Sequence, residues 1–135
     1  MTRPAFAAIN RLRREEGEEE FANPRNATAG AIRLLDPRES ARRRLSFFGY
    51  QVARLDARGL DSHAEGLELL AAWGFPVNPG WQRCGSLTDV HAFIVEWGAR
   101  RAALPFDIDG VVVKLDRLEE QRRLGFEKIG IARRA

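Results

Sequence analysis

The sequence predicts a fold that mixes helices with a few strands. Capped stretches carry helical periodicity, and two short runs are rich in β-branched and aromatic residues. Two strands are too few to close a sheet, so the pattern implies that strands are missing. A length of 135 residues with 44% hydrophobic content suits one domain with a modest core.

Between Pro4 and Glu16, Phe6, Ile9 and Leu12 recur every third residue among charges and read as a short amphipathic helix ended by Gly17. In FANPRNATAGAIRLLDPR, Asn23 can cap, Pro24 can take the first helical position and Asp36-Pro37 can stop the run, giving a helix from about Pro24 to Leu35. Ala27, Ala29, Gly30 and Ala31 make this helix thin, which permits close approach of another element or a ligand. LSFFGYQVARL, Leu45 to Leu55, is the first strand candidate, and Gly49 inside it suggests a bulge or a close contact. Ser62 and Glu65 form a capping box ahead of Leu67, Leu70 and Ala71, and Gly74 ends that helix. Val90, Phe93, Ile94 and Trp97 mark another helix reaching Ala102. Leu104-Pro105 then opens the second strand candidate, and DRLEEQRRLGF follows as a short helix with Leu118 and Leu124 inward.

The formal charge is +3, with acid gathered at Glu15, Glu16, Glu18, Glu19 and Glu20 and base at Arg38, Arg42, Arg43 and Arg44. Such a mild excess is compatible with nucleotide or nucleic-acid partners without specifying them. Cys84 is the only cysteine, which excludes an intrachain disulfide and a multi-cysteine zinc site and points to a reducing, cytoplasmic setting. No signal-peptide pattern and no membrane-length apolar run occurs, so a soluble chain is expected. G-x-G-x-x-G after a strand and the G-x-x-x-x-G-K-[ST] loop are both absent. His63 and His91 lack neighbouring ligands at metal spacing, and Ser46, Ser62 and Ser86 lack a nucleophile-elbow setting.

The segment FDIDGVVVK, Phe106 to Lys114, is the most informative. Among 22 Lys+Arg only Lys114 and Lys128 are lysines, so a site that needs a compact ammonium competes with simple drift as the explanation of Lys114. Asp107 and Asp109 share strand parity, whereas Lys114 would point oppositely unless a bulge at Gly110 reverses it. With that bulge, Asp109 and Lys114 could hold a nucleotide phosphate or its metal; without it, the charges would simply face solvent. Arg25 and Arg33, eight residues apart, lie about 80° apart around a helix and can flank one stripe. They could clamp phosphate, or could be two solvated arginines. Lys114-Leu115-Asp116-Arg117 nearly matches K-x-D-G, the motif of lysines that attack nucleotide phosphates, but lacks its glycine.

Four segments, FANPRNATAGAIRLLDPR, LSFFGYQV, ELLAAWGFPVNP and LPFDIDGVVVKLDRLEEQRRLGF, resemble in order and spacing the adenylation domain of bacterial NAD-dependent DNA ligases. The likeness covers about Met1 to Phe126. It implies an α+β fold, part of an antiparallel-sheet nucleotidyltransferase (adenylation) domain flanked by helices, with residues 127–135 as a divergent tail. It also implies transfer of AMP from NAD to a lysine, then to the 5′-phosphate of a nick in duplex DNA, and finally sealing of the strand. By the same resemblance Lys114 contacts the NAD-derived nucleotide and Asp109 is the essential acid of that strand. Arg25 and Arg33 engage phosphate at the nick, Arg101 matches another basic position of the active domain, and magnesium is the implied metal.

Departures from the family pattern matter equally. Neither K-x-D-G nor the glutamate-bearing strand that follows it occurs, and EKIGIARRA replaces the expected final lysine strand. The NAD-recognition domain, oligonucleotide-binding barrel, zinc finger and helical domains have no room in 135 residues. The expectation is a monomeric, cytoplasmic ligase fragment that is inactive alone. The rivals are a non-catalytic DNA-binding remnant using Arg25, Arg33 and Arg42 to Arg44, and an unproductive gene fragment.

Overall fold

The structure is a computed structural model and describes residues 1–53 and 59–125. Two compact units divide the chain, Met1–Phe47 with Leu87–Val111 and Phe48–Ser86 with Val112–Ala135.

In the first unit, α1 (Arg3–Glu15) starts where Thr2 accepts the Ala5 N–H at 3.4 Å. Ile9 and Asn10 are its buried residues, while Leu12 of the predicted stripe stays exposed. The next helix, α2 (Pro24–Ile32), is capped by Asn23, whose Oδ1 accepts the Asn26 N–H at 2.8 Å, and has Pro24 in its first turn, as the asparagine-proline pair predicted. It ends at Ile32, short of the expected Leu35, with Arg33 as its C-cap, and Asp36-Pro37 does not stop it. Asp36 caps α3 (Pro37–Arg42), which the sequence reading missed. Packing of α2 against both α1 and α3 leaves Ala27 and Ala31, four residues apart, with no exposed surface. The small side chains on that face therefore serve helix–helix contact.

The loop from α1 to α2 is held by one buried side chain. Asn10 Nδ2 donates to the Phe21 carbonyl at 3.0 Å, and Asn10 Oδ1 accepts the Phe21 N–H at 2.9 Å. The Phe21 ring meets two guanidinium groups, Arg13 at 4.4 Å and Arg43 at 4.9 Å from its centroid. Also in this unit, α5 (Leu87–Arg100) runs into a 3₁₀ turn, Arg101–Ala103. Arg3 ties α1 to that turn and the residues just beyond it. Its Nε meets Asp107 Oδ1 at 2.8 Å, its Nη1 donates to the Ala102 carbonyl at 2.9 Å, and its backbone N–H donates to Pro105 O at 2.7 Å.

In the second unit, α4 (His63–Ala72) shows the predicted capping box and buries Ala64, Gly66, Leu67 and Leu70. Gly49 lies against it, with its N–H donating to Pro76 O at 2.8 Å. A Cβ there would come within 3.2 Å of Leu70 Cδ1, so the close contact expected at Gly49 is present. The last helix, α6 (Leu118–Leu124), buries Leu118 but leaves Leu124 exposed, contrary to the inward position expected for it.

The predicted antiparallel sheet is not present: among the described residues there are six α-helices, the 3₁₀ turn and no strand. Among these residues two isolated bridges occur, Gly49 with Val77 (parallel) and Ser62 with Arg117 (antiparallel). The described part of Leu45 to Leu55, and all of Phe106 to Lys114, is irregular. A helix closes its hydrogen bonds within its own segment, whereas a strand exists only when a neighbour supplies the other half of the ladder. Among the described residues Leu45 to Leu55 finds only the single bridge at Gly49 and Phe106 to Lys114 finds no such neighbour, and Val112 and Val113 remain 78% and 59% exposed. Residues 127–135, read as a divergent tail, lie outside the described residues.

Candidate active site

Arg25 and Ala29 on α2 and Arg33 at its C-cap are all exposed, opposite the buried Ala27 and Ala31. The helical rise puts the two arginines about 12 Å apart along the axis, with only a methyl group between them. Neither side chain has an ion-pair partner among the described residues. Arg101 opens the 3₁₀ turn in the same unit and is exposed, as is Asp109 further on. Asp107, the parity partner of Asp109, is committed to Arg3. No hydrogen bond or ion pair joins Arg25, Arg33, Arg101 and Asp109 to one another among the described residues. A groove of about 500 Å³ beside α3, lined by Leu34, Leu35 and Arg44 among others, includes none of the four.

Lys114 belongs to the second unit. Its Nζ stands 5.1 Å from the centre of the Tyr50 ring, and Tyr50 is 71% exposed. Partial loss of hydration lowers the Lys114 ammonium pKa from its ordinary value. The His63 imidazole is also lowered, first by burial and then by the charge of Lys114, against the opposing pull of Asp116. Gly110 shows no left-handed backbone, and a bulge there has no ladder to interrupt.

Sequence reading missed Tyr50 and Asp116. In sequence Tyr50 is one aromatic among several in a strand candidate, and Asp116 is part of an incomplete K-x-D-G motif. Its partners show a different role: Oδ1 accepts the Ala64 N–H at 2.9 Å, and Oδ2, shielded from water, lies 2.8 Å from Arg83 Nη2. That second contact is ionic rather than an aligned hydrogen bond. Contacts across 52 positions leave no local sequence signal.

An aromatic face beside an ammonium suits a nucleotide, since a ring can stack on a base while the ammonium meets phosphate. Exposed arginines on a capped helix suit a phosphate backbone. The chain belongs to the NAD-dependent DNA ligase adenylation domain family, whose pattern matches residues 1–130. Among its relatives, the DNA ligase of Anoxybacillus flavithermus is 46% identical over 125 residues and that of Bacillus subtilis 45% identical over 126. A DNA ligase of Listeria monocytogenes is 46% identical over 125 residues. Each match covers 93% of this chain and 19% of the relative, so the chain spans about a fifth of the length of these ligases.

Proposed function

We propose that this chain serves in nick sealing as part of the adenylation domain of an NAD-dependent DNA ligase. The single observation that carries the reading is the family match over residues 1–130. The exposed Lys114–Tyr50 pair and the Arg25–Ala29–Arg33 stripe supply groups of the right chemistry. In this reading Lys114 binds a nucleotide phosphate, Asp109 is the essential acid of its segment, and Arg25 and Arg33 neutralise phosphate at the nick, with Arg101 adding charge. Phosphoryl transfer depends on placing groups and neutralising charge, which is the work these side chains can do. NAD, when bound, supplies the adenylyl group. Magnesium is the metal of the same proposed chemistry, and among the described residues no group of three or more His, Cys, Asp or Glu side chains could hold a metal ion. No described helix is long and apolar enough to cross a membrane. A cytoplasmic, monomeric protein acting on nicked duplex DNA is part of the same proposal.

DNA binding tests the phosphate roles. The chain is expected to bind nicked duplex with an affinity that falls as salt rises. Arg25→Ala with Arg33→Ala should weaken that binding and reduce the salt slope by about two, one for each lost phosphate contact. Equal affinity and slope in the double variant would remove both arginines from the interface.

A further inference from the structure

Lys114 sits on an irregular segment that no strand ladder holds among the described residues, so other contacts must determine where its ammonium lies. The stretch immediately after it is fastened to α4 at several points. The Asp116 carbonyl accepts the His63 N–H at 2.7 Å, Asp116 Oδ1 accepts the Ala64 N–H at 2.9 Å, and Leu118 N–H donates to Asp61 O at 2.9 Å. Gln121 Nε2 donates to the Leu115 carbonyl from the other direction. Glu65 and Ser62 satisfy the remaining amides of the α4 start: Glu65 Oε2 accepts from Asp61 and Ser62, and Ser62 Oγ accepts from Glu65. Asp116 therefore joins the Lys114 segment to α4 through its side chain as well as its backbone, and Arg83 braces its second oxygen at 2.8 Å.

We infer that Asp116 is a positioning residue that, braced by Arg83, holds the Lys114 ammonium over the Tyr50 ring. Both carboxylate oxygens are occupied, one by an amide and one by a guanidinium, so Asp116 acts on Lys114 through the backbone and not as its counter-ion. Hydration loss, with no contribution from Asp116, accounts for the lowered Lys114 ammonium. The placement stands on this geometry alone; its use in nucleotide binding rests on the function proposed above.

The chain has only two lysines, so ¹³C-dimethylation of its amines leaves two lysine signals besides the amino terminus. The Lys114 signal is expected to be displaced by the Tyr50 ring current and to titrate below the ordinary lysine range. Tyr50→Leu identifies the displacement. Asp116→Ala should abolish most of it, and Asp116→Asn and Arg83→Gln should reduce it, while amide shifts of α1 stay in place. Arg83 is exposed, so Arg83→Gln carries the test if Asp116→Ala does not fold. An unchanged Lys114 signal in folded Asp116→Asn and Arg83→Gln overturns the positioning role. Titration with AMP forms a separate arm. If AMP fails to move the Lys114 signal while the variants do, the nucleotide reading falls and the positioning role stands.

Discussion

Gly49 and Gly30 look alike in sequence as glycines inside regular patterns, but their surroundings separate them. A Cβ at Gly49 would press within 3.2 Å of Leu70 and 3.8 Å of Phe75, so Gly49→Ala should cost about 1 kcal/mol through overpacking. At Gly30 the nearest atoms lie 3.8 Å and 4.0 Å away, an ordinary contact, so Gly30→Ala should strengthen α2 by up to about 1 kcal/mol. Amide exchange in α4 and α2 measures both. His63 supplies a pH dependence with a definite sign. Above its ordinary 6.5 the imidazole is neutral whether folded or unfolded and contributes nothing. Below 6.5 the unfolded chain takes up a proton that burial and Lys114 oppose in the folded chain, so stability falls as pH drops from 6.5 towards the folded value. Exchange protection of α4, corrected for intrinsic rates, should decline across that window, and His63→Gln should flatten the decline. Arg25, Arg33, Arg101, Asp109 and Lys114, the residues proposed for the site, are all exposed. The role of Asp116 was not legible in sequence, because its partners are 33 and 52 positions away.

The helices were legible because their signals are local. Thr2, Asn23, Asp36 and Ser62 each offer a side-chain oxygen to a first-turn amide, and three of the four helices start with proline in the first turn. Ser62 is the most informative of these, being buried and paired reciprocally with Glu65. Ser62→Ala should cost about 1 kcal/mol and show as faster exchange at Glu65 and its neighbours. Asp36 shows where a local signal is ambiguous, because an Asp-Pro dipeptide can stop one helix or cap the next, and here it caps α3 while α2 has already ended at Ile32. The strand candidates failed for a different reason. Alternation and β-branching describe a surface fit for pairing, but the partner that turns an extended segment into a strand is a matter of the whole fold.

For the whole molecule, the buried apolar core among the described residues is small: Ile9, Ala27, Ala31, Ala64, Leu67, Leu70 and Leu118, three of them alanines. Leu35 is fully exposed, and Ile32, Tyr50, Leu87 and Val112 are each more than two-thirds exposed. So little burial predicts a broad thermal transition, and calorimetry of the chain should show one in place of a sharp cooperative peak. The sequence has no K-x-D-G, so incubation with NAD and magnesium should leave its mass unchanged. A stable AMP adduct on Lys114 or Lys128 would refute that expectation. Family membership, the capped helices and the exposed arginine and lysine residues could be read from sequence alone, because motif order and helix caps are written in neighbouring residues. Whether Phe106 to Lys114 pairs as a strand, what Ala27 and Ala31 pack against, and how Lys114 comes to lie over Tyr50 were decided only by the tertiary structure. Each of these depends on groups distant in the chain, and proximity through folding is what sequence spacing does not record.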